Sequence, residues 1–99
     1  MIDTNKEIRR AVDTGKVLFG SEQSEKSILK GEAQLVIIAD NTPIGIKEKI
    51  KSLAKVANTV VYDFSENSIK LGSLCGKPFS VSVMSVIDAG KSKVTEISQ

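Results

Sequence analysis

Apolar residues follow two alternating patterns along the chain, and each pattern predicts a different kind of element. Segments in which apolar residues recur every three or four positions predict helices, whereas short continuous or alternating apolar runs predict strands. We expect helices at about 4–14, 21–30, 43–57 and 67–75, separated by strands at about 17–19, 34–39, 59–64 and 80–87. This alternation predicts an α/β fold, a three-layer α/β/α sandwich around a four-stranded sheet.

The segment that begins at Gly20 predicts a βαβ unit with a polar helix start. Gly20 lets the chain leave the first strand at a sharp angle, and Ser21 is expected to cap the helix that follows. Gly31 is expected to end that helix, and an unbroken apolar run then predicts a buried strand. Backbone N–H groups at the helix start, beside Gln23 and Lys26, form a favourable site for an anion or for hydrogen-bonding edges.

Loops that follow parallel strands collect at one end of a sheet, which is where ligands of such folds bind. The loops after the first two strands are expected there, and Asn41 or Thr42 is expected to cap the helix at about 43–57. The segment 77–79 joins these loops only if the last strand is antiparallel to the others. The pattern of residues alone leaves that direction open.

Length and composition limit the number of domains and the compartment. A chain of 99 residues forms one core, so we expect residues 1–99 to be a single domain without a membrane span. Cys75 cannot form an internal disulfide, and the chain starts without an apolar signal segment, which predicts a cytoplasmic protein. The formal net charge of +2 permits a polyanionic partner without requiring one.

The chemistry of the side chains excludes most catalytic centres. With no histidine and one cysteine, the usual ligand sets for zinc, haem and iron–sulfur clusters are missing, as are histidine-activated nucleophiles. We therefore expect no metal and no cofactor, and much of enzyme chemistry is excluded, although carboxylate or lysine chemistry is not. One alternative stays open, a small α/β enzyme or metabolite-binding domain that uses Asp40 and Asp63 at strand ends, although aspartate is also common in turns.

Phe79 allows two interpretations. A phenylalanine at the start of a strand is usually a core residue, but Phe79 follows Lys77 and Pro78, where a side chain can be exposed. An exposed ring there would be a platform for an unpaired base, with Lys77 near the RNA backbone. Gln23 could read a base edge through its amide, and Lys26 could meet a phosphate.

Other basic residues are weaker candidates for contact with a phosphate. Arg9 and Arg10 lie on the predicted outer face of the first helix, and Lys47, Lys51 and Lys55 recur one turn apart on the third. Such rows are more often solvated surfaces than binding stripes.

Three segments carry a resemblance to a known family. They are 31–43, 70–77 and 86–92, and they occur in the right order over essentially the whole chain. In these segments the chain resembles the "thirty-e" family of archaeal and eukaryotic large-subunit ribosomal proteins. That family belongs to the kink-turn RNA-binding superfamily that also contains the archaeal "seven-Ae" ribosomal protein.

The resemblance implies a mixed sheet with an antiparallel last strand and a non-enzymatic ribosomal protein. It implies binding to an asymmetric internal loop of ribosomal RNA, with other large-subunit ribosomal proteins as neighbours, and we expect a monomer away from the ribosome. The implied RNA-binding residues are Gly20, Ser21, Glu22, Gln23, Lys26, Asn41, Lys77, Pro78 and Phe79.

The chain departs from the superfamily at one position pair. The characteristic Asn-Glu pair is replaced by Glu22-Gln23, and a carboxylate at residue 22 would repel phosphate although it could accept hydrogen bonds from a guanine edge. A further alternative is a stress or signalling relative of the same fold that acts through protein contacts and binds no RNA.

Overall fold

The computed structural model describes residues 4–90, and within this range four helices alternate with four strands. In chain order the elements are α1 (Thr4–Thr14), β1 (Lys16–Phe19), α2 (Ser21–Leu29), β2 (Leu35–Ile38), α3 (Ile44–Ala57), β3 (Val60–Asp63), α4 (Ser68–Leu74) and β4 (Val83–Asp88). The order and type of the predicted elements are confirmed. The end of the segment 86–92, beyond Gly90, lies outside the described residues.

The strands form one sheet with the order β1-β4-β2-β3. β2 and β3 are parallel, whereas β4 lies between β1 and β2 and is antiparallel to both. Ser85 of β4, for example, is opposite Leu18 on one side and Val36 on the other. The mixed sheet implied by the resemblance is confirmed. As a consequence, β4 begins at the end of the sheet where β1 and β2 finish.

Apolar residues on both faces of the sheet make the three layers. β2 is buried along its whole length, and its alternate side chains enter two separate cores. Leu35 and Ile37 pack with residues of α1 and α4, whereas Val36 and Ile38 pack with residues of α2 and α3. The α/β/α sandwich is therefore confirmed. Over residues 4–90, no helix combines the length and the apolar character that a membrane span needs.

Two predicted helix caps are wrong. The N-cap of α2 is Gly20, with φ 101° and ψ 152°, and Ser21 is the first helical residue. The N-cap of α3 is Pro43, because the side chains of Asn41 and Thr42 are used elsewhere. The Thr42 hydroxyl donates to the Ser82 carbonyl at 3.0 Å, and the Asn41 side-chain oxygen accepts from the Ser68 N–H at 2.8 Å. Long-range hydrogen bonds thus replaced the local ones.

The last strand also begins later than expected. It starts at Val83 rather than at Ser80, since the preceding segment lies on α4 instead of in the sheet. The N–H group of Val81 donates to the carbonyl of Ser68 at the start of α4, at 3.0 Å. Residues 76–82 therefore form a loop that crosses from α4 to the sheet, and we call it the α4–β4 loop.

Candidate nucleic-acid interface

Backbone hydrogen bonds bring three loops together at one end of the sheet. The Gly20 N–H donates to the Val83 carbonyl at 2.8 Å, which joins the end of β1 to the start of β4. The Ala39 N–H donates to the Ser82 carbonyl at 2.8 Å, which joins the end of β2 to the α4–β4 loop. The antiparallel direction of β4 is what makes these contacts possible.

A cavity of about 460 Å³ opens at this end of the sheet. Its lining residues are Phe19, Gly20, Ser21, Ile46, Phe79, Ser80, Val81 and Ser82. The cavity thus combines the start of α2, the first turns of α3 and the α4–β4 loop. Ile46 was not singled out by the sequence, because its helical spacing marks it only as a core residue.

The start of α2 presents backbone donors at this end of the sheet. Among the residues described, no side chain caps this helix. The first helix N–H group with a backbone partner is that of Ser24, which donates to the Gly20 carbonyl at 3.1 Å. The preceding N–H groups have no partner within a regular helix and carry its positive dipole end. Glu22 and Gln23 are exposed on this first turn.

Phe79 is exposed and does not belong to the core. Its side chain is 54% exposed although it lines the cavity. The loop that carries it is held at both ends, because Lys77 N–H donates to the Gly72 carbonyl at 2.9 Å and Val81 N–H donates to Ser68. The aromatic ring is therefore presented to solvent by a fixed segment of backbone.

Lys77 links the α4–β4 loop to the end of β1. Its ammonium group lies 5.1 Å from the centroid of the Phe19 ring, within the range of a cation–π interaction. The side chain is half-buried, so its stem packs at the end of the sheet while its charge stays close to the cavity. Pro78, next to it, is exposed.

Asn41 contributes to the site mainly by holding a loop in place. Its side-chain oxygen accepts from the Ser68 N–H at 2.8 Å, and the residue is exposed. Lys47 supports the same loop, since its ammonium donates to the Asp40 carbonyl at 2.7 Å. That role of Lys47 depends on a contact with the loop that precedes its own helix, which spacing along a helix does not indicate.

Comparison with known proteins identifies the chain. Residues 3–96 match the model of the ribosomal protein L7Ae/L30e/S12e/Gadd45 family. The chain belongs to this family.

The curated relatives of this L7Ae/L30e-family chain include two archaeal proteins named large ribosomal subunit protein eL30. The one from Methanocaldococcus jannaschii is 45% identical over 96 residues, which cover 97% of this chain and 87% of the relative. The one from Methanosphaera stadtmanae is 43% identical over 98 residues, covering 99% and 100%. The names of the family and its relatives indicate a ribosomal structural protein and not an enzyme, as the sequence predicted.

A solved structure supports the same fold. It is described as a protein with unknown function from Bacillus halodurans C, and it superimposes with a TM-score of 0.83 at 25% sequence identity. The match covers 98% of this chain and 96% of the other. The sandwich is therefore shared with this bacterial protein.

Not every candidate residue of the L7Ae/L30e-family chain lines the cavity. Gln23 and Lys26 are exposed on α2 outside the lining residues, as is Glu22. They extend the surface from the helix start along the outside of α2. The cavity and this polar turn together form one candidate interface, on which the predicted residues of the two loops and of α2 meet.

The arginines of α1 are engaged in ion pairs within their own helix. Arg9 pairs with Asp13, with 3.1 Å between Nε and the carboxylate, and Arg10 pairs with Glu7 at 3.3 Å. The Arg9 guanidinium also lies against Gly76 at the end of α4. Neither arginine lines the cavity.

The two aspartates of the alternative site lie at the ends of the neighbouring parallel strands β2 and β3, and one of them is already in an ion pair. Asp63 pairs with Lys51 at 3.2 Å, and Asp40 is exposed on the neighbouring loop. In the part of the chain that is described, no three His, Cys, Asp or Glu residues are grouped closely enough to hold a metal ion.

Burial raises the pKa of the Cys75 thiol to about 11, an effect only partly offset by the positive charges of Arg9 and Lys77.

Proposed function

We propose that this protein is a structural constituent of the large ribosomal subunit that binds a kink-turn-type internal loop of ribosomal RNA, with residues 1–99 acting as one RNA-binding domain. The observation that carries the proposal is the exposed ring of Phe79 beside the uncapped start of α2, on one cavity. The names of the archaeal relatives support the ribosomal part of the proposal.

The start of α2 supplies the polar contacts. Unpaired N–H groups at Ser21 and the next residues donate to RNA phosphate or base-edge acceptors, and the positive end of the helix favours negative charge. Gln23 can both donate and accept, which suits the exposed edges of the sheared purine pairs in a kink-turn. Lys26, one turn later, meets a phosphate on the same side.

Glu22 reads a base rather than the backbone. Its exposed carboxylate repels phosphate but accepts hydrogen bonds from the N2 amino group of guanine. Replacing that guanine by inosine, which lacks the amino group, is expected to lower the RNA affinity of the wild type. The same replacement should change the RNA affinity of Glu22→Ala very little. Equal losses in both proteins would argue against this role.

Phe79 supplies the stacking contact. A flat ring that is exposed and held by a fixed loop suits the face of an unpaired base, and stacking of this kind is characteristic of single-stranded RNA recognition. Lys77 adds positive charge beside the ring, Pro78 shapes the loop, and Asn41 offers its amide nitrogen from the neighbouring loop.

The cellular setting follows from the same proposal. The protein acts on the cytoplasmic ribosome, with ribosomal RNA and other large-subunit proteins as partners, and it is a monomer before assembly. Sedimentation of the purified protein tests the monomer, and a footprint on large-subunit RNA identifies the helices that are contacted.

The central experiment compares two RNAs of equal length and charge. Purified protein should bind an RNA that forms a kink-turn with sub-micromolar affinity and a straight duplex far more weakly, because only the kink-turn presents unpaired bases and sheared pairs. Equal binding to both RNAs would reduce the interaction to general electrostatic attraction and overturn the proposal.

A further inference from the structure

A second hollow lies beside Phe79, next to α4. Its volume is about 420 Å³, and its lining residues are Ile69, Ser73, Lys77, Pro78, Phe79 and Ser80. Phe79 and Ser80 line the first cavity as well, so the two hollows meet along the α4–β4 loop. The second hollow therefore continues the surface that is proposed to bind RNA.

Ile69 gives this hollow its apolar character. The side chain is 69% exposed, and Pro78 and Phe79 expose more apolar surface beside it. Single exposed apolar residues are common on protein surfaces and need no explanation. Three of them around one hollow, in contrast, form a face on which a flat apolar group can rest.

The polar lining residues indicate which kind of ligand suits the hollow. Ser73 and Ser80 provide hydroxyl groups that donate and accept, and Lys77 provides a positive charge. No carboxylate lines the hollow within the described residues. A ligand with a flat apolar face, a hydrogen-bonding edge and a negative charge matches all three properties, and a nucleotide has all three.

The hollow is formed before any ligand binds. The α4–β4 loop lies directly on α4. Gly72 permits this approach, because any side chain there would collide with the Phe79 carbonyl group. Hydrogen bonds from Lys77 N–H to Gly72 and from Val81 N–H to Ser68 hold the loop on both sides of the ring. Binding would therefore require little ordering of the protein, which favours affinity.

We infer that this hollow binds a second unpaired base of the same RNA, in addition to the base that stacks on Phe79. The inference rests on the proposed function and makes its ligand more specific. The protein would recognise two unpaired nucleotides of one internal loop, one at each hollow. Ile69 and Pro78 contact the face of the second base, and Lys77 lies near the phosphate between the two.

The test uses Ile69→Ser and a matched control, Leu29→Ser. Leu29 is also a helical residue, is 71% exposed, and lines neither hollow. The probe is a kink-turn RNA in which each unpaired nucleotide is replaced in turn by an abasic one. Melting curves of both variants should match the wild type, because neither side chain is buried.

The expected result is selective. Ile69→Ser should bind the intact RNA about five- to ten-fold more weakly, near the lower limit for base stacking because Ile69 offers no aromatic face. One of the abasic RNAs should bind wild type and Ile69→Ser with equal affinity. A different abasic RNA should bind wild type and Phe79→Ala with equal affinity. Leu29→Ser should bind every RNA like the wild type.

Other outcomes separate this inference from the proposed function. If Ile69→Ser binds all RNAs like the wild type while Phe79→Ala is weakened, RNA binding stands and the second base is excluded. Normal RNA affinity with poor incorporation of Ile69→Ser into reconstituted subunits would assign the hollow to a protein neighbour and overturn the inference. If the wild type fails to prefer a kink-turn over a duplex, the proposed function itself fails.

Discussion

The carbonyl group of Phe79 occupies the space that a side chain on Gly72 would fill, so the glycine determines how closely the α4–β4 loop lies on α4. The exposed ring and both hollows depend on this approach. A residue with no side chain, within a helix and directly beneath the loop that carries Phe79, therefore controls the shape of the candidate interface.

Gly72→Ala is the first prediction. Because the added methyl group meets backbone atoms that cannot rotate away, we expect a loss of about 1–3 kcal/mol in the free energy of unfolding, even though alanine favours the helix by up to about 1 kcal/mol. Kink-turn affinity should also fall, since the Phe79 loop must shift. Urea unfolding and RNA titration measure the two effects.

Gly45→Ala is the matched control for this change. Gly45 lies in α3, and nothing is within 4 Å of the position that a methyl group would take. Alanine should stabilise the protein there by about 0.5–1 kcal/mol. If Gly72→Ala stabilised the protein as much as Gly45→Ala does, the close approach of the loop would be ruled out.

The second prediction concerns salt. Few cations lie near the cavity, and Glu22 opposes them. The RNA affinity should therefore depend only weakly on salt concentration, with a slope equivalent to about two to four phosphate contacts. Lys77→Met keeps an unbranched stem over the Phe19 ring but removes the charge. We expect the salt slope to become smaller by about 0.7–0.9, as measured by affinities over a series of salt concentrations.

Lys55→Met is the control for that measurement, because Lys55 is exposed near the end of α3 and should leave the slope unchanged. A wild-type slope that corresponds to about eight or more phosphates would contradict the prediction. It would mean that the α3 lysines and Arg9 and Arg10 also contact RNA.

Sequence patterns located the elements more reliably than the contacts between them. The run from Leu35 to Ile38 predicted a buried strand because four consecutive apolar residues need cover on both faces. The direction of β4 could not be derived in this way, since strands of either direction have the same local pattern. It was supplied by the family resemblance, and without it the position of Phe79 beside Gly20 would have stayed open.

Side-chain roles were hardest to predict where a long-range partner competes with a local one. Asn41 and Thr42 have the properties of helix caps, but the folded chain offers them Ser68 and Ser82 instead. Ile46 has the spacing of a core residue and also lines the cavity. Such choices depend on the distance between segments that are far apart in sequence, which a local pattern does not contain.

The third prediction concerns Cys75. Burial raises the pKa of its thiol to about 11, above its value in the unfolded chain, so the neutral thiol stabilises the fold at low and neutral pH. This contribution is complete below about pH 8.5 and is lost as the pH rises through about 11. The stability advantage of wild type over Cys75→Ala should therefore shrink over this interval, by at most about 1.4 kcal/mol per pH unit.

Urea midpoints of the two proteins, measured side by side at each pH, check this expectation. Lysine and tyrosine titration affects both proteins alike, because those groups are present in both. The difference in stability between wild type and Cys75→Ala therefore reports on the thiol. A difference between the two proteins that stays constant up to about pH 11 would show that the thiol titrates alike in the folded and unfolded chains, and that burial does not raise its pKa.

The last prediction separates stacking from packing at Phe79. Because the ring is 54% exposed, Phe79→Ala should leave the melting curve almost unchanged, but it should weaken kink-turn binding by about 1–3 kcal/mol through the loss of one stacked base. Phe64→Ala is the contrasting variant, since Phe64 is 2% exposed and its truncation should cost about 3–5 kcal/mol of unfolding free energy. The folded fraction of Phe64→Ala should keep its RNA affinity, because Phe64 lines neither hollow. Melting curves and RNA titrations of both variants decide the matter, and a destabilised Phe79→Ala with normal affinity would remove the stacking role.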